Sequence, residues 1–189
     1  MKEQIKNYLN RYVAFEDAEI DDFYANLKPK TFRKKEYLLK QDQICKSNFF
    51  ISEGLVRSFY IDEKGNEKII QFAIENWWVT NVESFIQDMP SAINIQAIED
   101  TTALVLYKND LDQLYKSIPK LERLFRMITE NTLIAVQRNN NFFSKKSSKE
   151  RYFNFVNSFP GFAQRVPQYM IASFLDITPE YLSELRKNH

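Results

Sequence analysis

The pattern of apolar residues predicts an α+β chain, and three observations carry that prediction. The first is a change of period. Spacing is helical up to residue 28, strand-like from Lys30 to about Tyr107, and helical again after Asn109. The second is a hairpin. The apolar runs Leu55–Ile61 and Glu67–Ala73 flank Asp62-Glu-Lys-Gly-Asn66, where Gly65 supplies the positive φ of a tight turn. The third is a closing stretch from Pro167 to Lys187, with two short helical patterns joined by a turn. The 189 residues suffice for one large domain, or a medium domain and a small one. A hydrophobic fraction of 44% supplies a core, and only 3 Gly and 6 Pro argue against disorder.

In chain order, Ile5, Leu9, Tyr12 and Val13, then Ile20, Phe23, Tyr24 and Leu27, recur at helical spacing until Pro29 ends the stretch. Tyr37–Leu39, Phe49–Ile51, the two hairpin arms, Ile93–Ala97 and Thr102–Tyr107 are strand candidates. Short strands with frequent turns predict a sandwich or barrel. Asn109 stands where it can cap a short helix from Asp110 to about Ser117. Pro119 suits the first turn of a long helix to about Phe143. Leu121, Phe125, Ile128, Thr132 and Ala135 form a stripe along it, with Leu124 and Ile134 beside. Such a stripe predicts pairing with a second copy, the alternative being packing against the chain's own strands.

Ser144–Ser148 reads as a linker. Ser147 and Glu150 have capping-box spacing, so a helix with Tyr152, Phe153, Phe155 and Val156 starts there and stops near Phe159-Pro-Gly161. The expected boundaries are 1–118 for the strand-rich domain, 119–143 for the pairing helix and 144–189 for a C-terminal helical domain.

Composition excludes several classes. Cys45 is the one cysteine, so no internal disulfide forms and a reducing cytoplasm is expected. No run approaches the ~20 apolar residues of a membrane span, and the N-terminus lacks a cleavable signal. The sole histidine is His189, which removes Ser/His, Cys/His and multi-histidine metal chemistry, so no enzyme is expected. The net charge is +1, but from Ser144 onward seven Lys/Arg face four Asp/Glu. A mildly basic end fits a polyanionic partner.

The closing stretch is the most informative. A helix-turn-helix needs a small residue where its two helices touch, and Ala172 stands there. Ile171, Leu175, Ile177, Leu182 and Leu185 have the spacing to seal the angle. Thr178 can cap the second helix and Pro179 suits its first position. That helix would offer Thr178, Pro179, Glu180, Tyr181, Ser183, Glu184, Arg186 and Lys187 to double-stranded DNA. The alternative is an ordinary helical hairpin. Lys145, Lys146, Lys149 and Arg165 would join Arg186 and Lys187 in supplying backbone affinity, which makes binding salt-sensitive.

From the helical lead-in through Phe49-Phe-Ile-Ser-Glu-Gly-Leu-Val-Arg57, the hairpin at Gly65, the segment after Trp78, the long helix and Val166–Glu180, the chain resembles the Crp/Fnr regulators. It resembles in particular the short form common in Bacteroidetes. The resemblance implies a cyclic-nucleotide-binding-like β-roll of jelly-roll type, a dimerisation helix at 119–143, and a helix-turn-helix. It implies a homodimeric transcription regulator with double-stranded DNA and RNA polymerase as partners, and an effector of unknown identity. No wing is expected after the motif.

The chain departs from the family at the phosphate cassette of the roll. There the family carries a Gly-Glu pair and an Arg-Ser pair, the arginine neutralising the cyclic phosphate. The matching positions are Val82-Glu83 and Ser91-Ala92, with Ser84 beside Glu83. Glu83 is kept, but no Lys or Arg lies between Lys68 and Lys108. A desolvated phosphate without a positive partner is costly, so tight cyclic AMP binding is not expected. One cysteine cannot hold an iron–sulfur cluster, and no internal histidine exists for haem, so no cofactor is expected. Trp77, Trp78, Phe85 and Met89 can line a pocket for an uncharged ligand, with core packing as the alternative. The reading helix departs too: Pro179 and Glu184 stand where the family often has arginines. Asp176 replaces a turn glycine. The competing function is a degenerate sensor that acts through protein contacts without reading DNA.

Overall fold

A computed structural model describes residues 1–158 and 160–187. Phe159, where the helix after the linker was expected to stop, and His189 lie outside the described residues. The chain divides into two compact units. One comprises Met1–Tyr60 with Gln71–Thr129, the other Ile61–Ile70 with the chain from Glu130 onward.

The first unit opens with two helices where one continuous helical stretch was expected. They are α1 (Lys2–Leu9) and α2 (Asp17–Ala25), broken between because Glu16 starts a new helix. The Glu16 amide donates to Glu19 Oε2 at 2.8 Å, a reciprocal cap that restarts the ladder. Pro29 does not end a helix but sits inside strand β1 (Lys28–Phe32). It is tolerated because β1 is an edge strand, where a missing amide donor costs no ladder bond.

The remaining strands are β2 (Tyr37–Leu39), β3 (Ser47–Glu53), β4 (Val56–Ile61), β5 (Glu67–Ala73), β6 (Trp78–Val79), β7 (Asn94–Ala97) and β8 (Thr101–Tyr107). They form two four-stranded sheets ordered β1-β8-β3-β6 and β2-β7-β4-β5. This is an α+β molecule with a jelly-roll core. Strands β3 and β8 are buried on both faces, which is why they read as apolar runs and not as alternation. Phe50, Leu104 and Leu106 face a cluster with Ile5, Leu9, Phe23, Leu121 and Leu124. Phe49, Ile51, Ala103 and Val105 face the other way, with Val56, Ile95 and Phe85.

Two turns demand glycine. Gly65 has φ +81° and closes the β4–β5 turn, its amide donating to Asp62 O at 2.9 Å, as the sequence predicts. Gly54 has φ +102°, and a Cβ there would lie 2.5 Å from Thr101 Oγ1 and 2.7 Å from Asp100 O.

After β6 comes α3 (Val82–Gln87), a helix inside the stretch read as strands. Helix α4 (Lys108–Ser117) begins before Asn109, contrary to the expected cap. The Lys108 amide donates to Lys46 O, so a tertiary partner replaces a side-chain cap and the helix follows β8 directly. Helix α5 (Lys120–Lys145) is the long helix, and it outruns the expected end, leaving a shorter break than Ser144–Ser148. Leu121 and Leu124 are buried, and Phe125 and Ile128 pack on the first unit's core. The first half of the stripe therefore serves the chain's own core.

The second unit holds the rest: α6 (Ser148–Ser158), α7 (Pro160–Arg165), α8 (Gln168–Leu175) and α9 (Pro179–Lys187). The expected box at α6 is present, with Ser147 N donating to Glu150 Oε2 at 2.8 Å and Glu150 N donating to Ser147 Oγ at 3.3 Å. Helix α7 follows immediately and was not expected from the sequence. No helix among the described residues is long and apolar enough to cross a membrane.

Candidate nucleic-acid interface and effector cassette

Helices α8 and α9 are joined by Asp176-Ile-Thr178. Asp176 takes the left-handed conformation, φ 52° and ψ 51°, where the turn reverses. Aspartate enters that region more readily than most residues, which accounts for its place in a glycine position. The Ile177 amide donates to Ala172 O at 3.0 Å and closes the end of α8. Thr178 caps α9, its Oγ1 accepting from Tyr181 N at 3.2 Å, and Pro179 is the first residue of the helix. Ile171, Ala172, Leu175 and Leu182 are each 1% exposed, and Leu185 is also buried. Ala172 has the small side chain that lets the helices approach. Ile177, also expected to seal the angle, is only half-buried, and its amide serves the turn instead.

Thr178, Pro179, Glu180, Tyr181, Ser183, Glu184, Arg186 and Lys187 are all exposed, along one continuous face and the C-terminal end of α9. Ser183 Oγ donates back to Pro179 O at 2.9 Å, so its hydroxyl is partly committed to the helix. Acidic Glu180 lies in the first turn, and Arg186 and Lys187 in the last. That order complements the helix dipole and puts the cations at the far end of the face. Lys145, Lys146, Lys149 and Arg165 are exposed as well, Lys146 Nζ lying 3.5 Å from Glu150 Oε1.

The cassette positions lie around α3. Asn81, which sequence reading passed over, organises them. Its Oδ1 accepts from Ser84 N at 3.0 Å, capping α3, and its Nδ2 donates to Ser91 Oγ at 2.9 Å. Ser91 Oγ donates onward to Ile93 O at 2.8 Å. Ser84 Oγ donates to Met89 O and accepts from Cys45 N. Ser84 and Ser91 are each 1% exposed, whereas Glu83 and Ala92 are exposed. The structure thus brings Ser84 and Ser91 together through Asn81, and leaves Glu83 and Ala92 outside that network. An Asn three residues before a Ser at a helix start is the signal that could have revealed the cap.

At the other end of α3, Lys108 Nζ donates to Ile86 O at 3.1 Å and Asp88 Oδ2 at 2.7 Å. The buried cation of the roll, Arg57, sits in β4. Its Nε and Nη2 donate to Gln96 Oε1 at 3.1 and 2.7 Å, and its guanidinium stacks 4.1 Å from the Phe59 ring centroid. Of the aromatic candidates, Phe85 is core and Trp78 packs between Phe50 and Phe125 at 5.3 and 5.6 Å. Trp77 and Met89 are exposed.

A cyclic-nucleotide-binding-like roll followed by a helix-turn-helix defines a class of regulatory protein, and comparison with known proteins agrees. The cyclic nucleotide-binding domain family matches residues 29–117. The electron transport regulator A of Shewanella oneidensis is 27% identical over 180 residues, covering 88% of this chain and 70% of that protein. The transcriptional activator protein anr of Pseudomonas aeruginosa is 25% identical over 127 residues, 67% of this chain and 51% of its own length. The structure of FixK2 from Bradyrhizobium japonicum superposes with a TM-score of 0.75 at 17% identity, covering 86% of this chain and 83% of that one. Residues 29–117 thus match the cyclic nucleotide-binding domain, and most of the chain is similar to Crp/Fnr-type regulators.

Proposed function

We propose that this protein is a cytoplasmic, homodimeric transcription regulator that reads double-stranded DNA with α9. The observation that carries the reading is the exposed face of α9, from Thr178 to Lys187, held on a sealed α8–α9 corner. A capped recognition helix enters the major groove with its first turns, where Thr178, Pro179, Glu180, Tyr181 and Ser183 meet base edges. Glu180 and Glu184 accept from cytosine amino groups, while Arg186 and Lys187 hold phosphates. With no arginine early in α9, guanine-first readout is not built in, so the operator differs from those read through arginines.

The homodimer forms along α5. From Thr129 to Arg138 every residue of the helix is exposed, including Leu133 at 58%, Ile134 at 43% and Val136 at 50%. A bare helix with these side chains is unstable as a solvent-facing surface and is covered by a second copy. We assign 1–118 to the sensor roll, 119–143 to dimerisation and 144–189 to DNA binding, with RNA polymerase as a further partner.

Cyclic AMP is not the effector. The residues present do not fit a cyclic phosphate: Ser91 is buried and committed to Asn81 and Ile93, and no Lys or Arg lies between Lys68 and Lys108. Cyclic AMP at micromolar concentration should leave the melting temperature unchanged, and stabilisation contradicts this assignment. Gel shifts on the protein's own upstream region at two salt concentrations test DNA reading. Specific binding that weakens with salt supports it, and no specific complex favours a sensor that acts through protein contacts.

A further inference from the structure

A serine inside a helix ordinarily returns its hydroxyl to the carbonyl one turn back, as Ser183 does. Ser173, in α8, does not. Its Oγ donates to Glu67 O at 2.8 Å and accepts from Ile69 N at 3.1 Å, across more than a hundred residues of sequence. Glu67 and Ile69 belong to the tip of the β4–β5 hairpin, and that tip, Ile61–Ile70, lies in the same compact unit as the helix-turn-helix. Beside them Lys68 Nζ is 3.4 Å from Asp176 Oδ1. The hairpin therefore grips α8 in its last turns and touches the left-handed residue that sets the corner between α8 and α9.

We propose that Ser173 is a positioning residue for DNA recognition, tying α8 to the hairpin so that α9 is presented in one fixed direction. The inference rests on the DNA-binding reading above. None of the exposed residues of α9 takes part in the tie, so the grip leaves the reading face open and does not block it. Asp176 gains a second role. Glycine would enter the left-handed turn more easily but would remove the carboxylate that Lys68 meets. A head held in advance loses less freedom on binding, whereas a loosened head binds in proportion to its aligned fraction.

The test uses full-length protein and a duplex that wild type selects from a random-sequence library, with affinity read by fluorescence anisotropy at fixed salt. Ser173→Ala should bind about fivefold to thirtyfold more weakly, the worth of one or two hydrogen bonds. Ser173→Thr, which keeps the hydroxyl, should restore most of the affinity. Inserting two base pairs between the half-sites should cost wild type more than it costs Ser173→Ala, because a loosened head tolerates other spacings. A general loss of stability does not produce that pattern. If Ser173→Ala does not fold, Lys68→Ala is read instead, with about a twofold to threefold loss expected for an exposed pair. Unchanged affinity and unchanged spacing tolerance in the folded variant overturn the inference alone. A wild type that selects no duplex overturns the DNA-binding reading and this inference with it.

Discussion

Leu133→Glu places a charge in the middle of the exposed length of α5. Leu133 and Val136 are three apart and share one side of the helix, 58% and 50% exposed. Burying a leucine fully gains about 1.5 to 3 kcal/mol, so covering a half-exposed one gains about 1 kcal/mol. Symmetry doubles the effect, since each copy carries the substitution. Two facing glutamates add a desolvation and repulsion cost, giving about 2 to 4 kcal/mol per dimer. That weakens dimerisation roughly thirtyfold to a thousandfold. Glutamate is a good helix former, so α5 itself persists. Sedimentation velocity across a concentration series measures the change, with far-ultraviolet circular dichroism as the check on helix content. A variant that dimerises as tightly as wild type refutes the assignment of this face, and a wild type that stays monomeric at tens of micromolar protein refutes the dimer.

Three other outcomes follow from named contacts. Asn81→Ala removes the cap of α3 and the partner of Ser91 together, and should cost about 2 to 4 kcal/mol in urea denaturation followed by Trp78 emission. A loss below about 0.5 kcal/mol would mean the cassette is not held by this network. Arg186→Ala and Lys187→Ala should each weaken DNA binding evenly across sequences and lower the salt slope by about 2, one contact from each copy, measured by anisotropy at several salt concentrations. Glu19 is held below the usual carboxylate range, first by its hydrogen bond from Lys120 and then by the Glu16 amide. Its stabilisation is therefore complete above the ordinary glutamate pKa and lost as pH falls through the depressed one. The melting-temperature gap between wild type and Lys120→Met should be open at neutral pH and close in acid, and a gap constant with pH contradicts the pair.

What the sequence made legible was local. The α8–α9 corner rests on Ala172, Thr178 and Pro179, whose effects act within one turn, and the hairpin rests on Gly65. What it hid was tertiary. Lys108 starts α4 because Lys46 supplies a carbonyl from a distant segment. Pro29 fits β1 only because that strand lies at a sheet edge. The α5 stripe allows pairing with a second copy or packing on the chain's own strands, and its first half is consumed by Leu104, Leu106 and their neighbours. At the cassette, the absence of Lys and Arg between Lys68 and Lys108 is plain in the sequence, and the resemblance implies that an arginine is what is missing. The polar network around Asn81 was not, because Asn81, Ser84 and Ser91 become one feature only when α3 folds back on the loop before β7. The grip of the hairpin on Ser173 has no sequence signature, since a serine within a helix gives no sign of a partner a hundred residues away.

The central claim is that α9 reads DNA. The most direct measurement is selection of genomic fragments by purified full-length protein, followed by sequencing of what is retained. The account predicts enrichment of a two-fold symmetric site with half-sites about 34 to 36 Å apart centre to centre, lost on raising salt and lost in a variant with Glu180, Tyr181 and Glu184 replaced by alanine. Retention without a common site, or the same site retained by that variant, would contradict it.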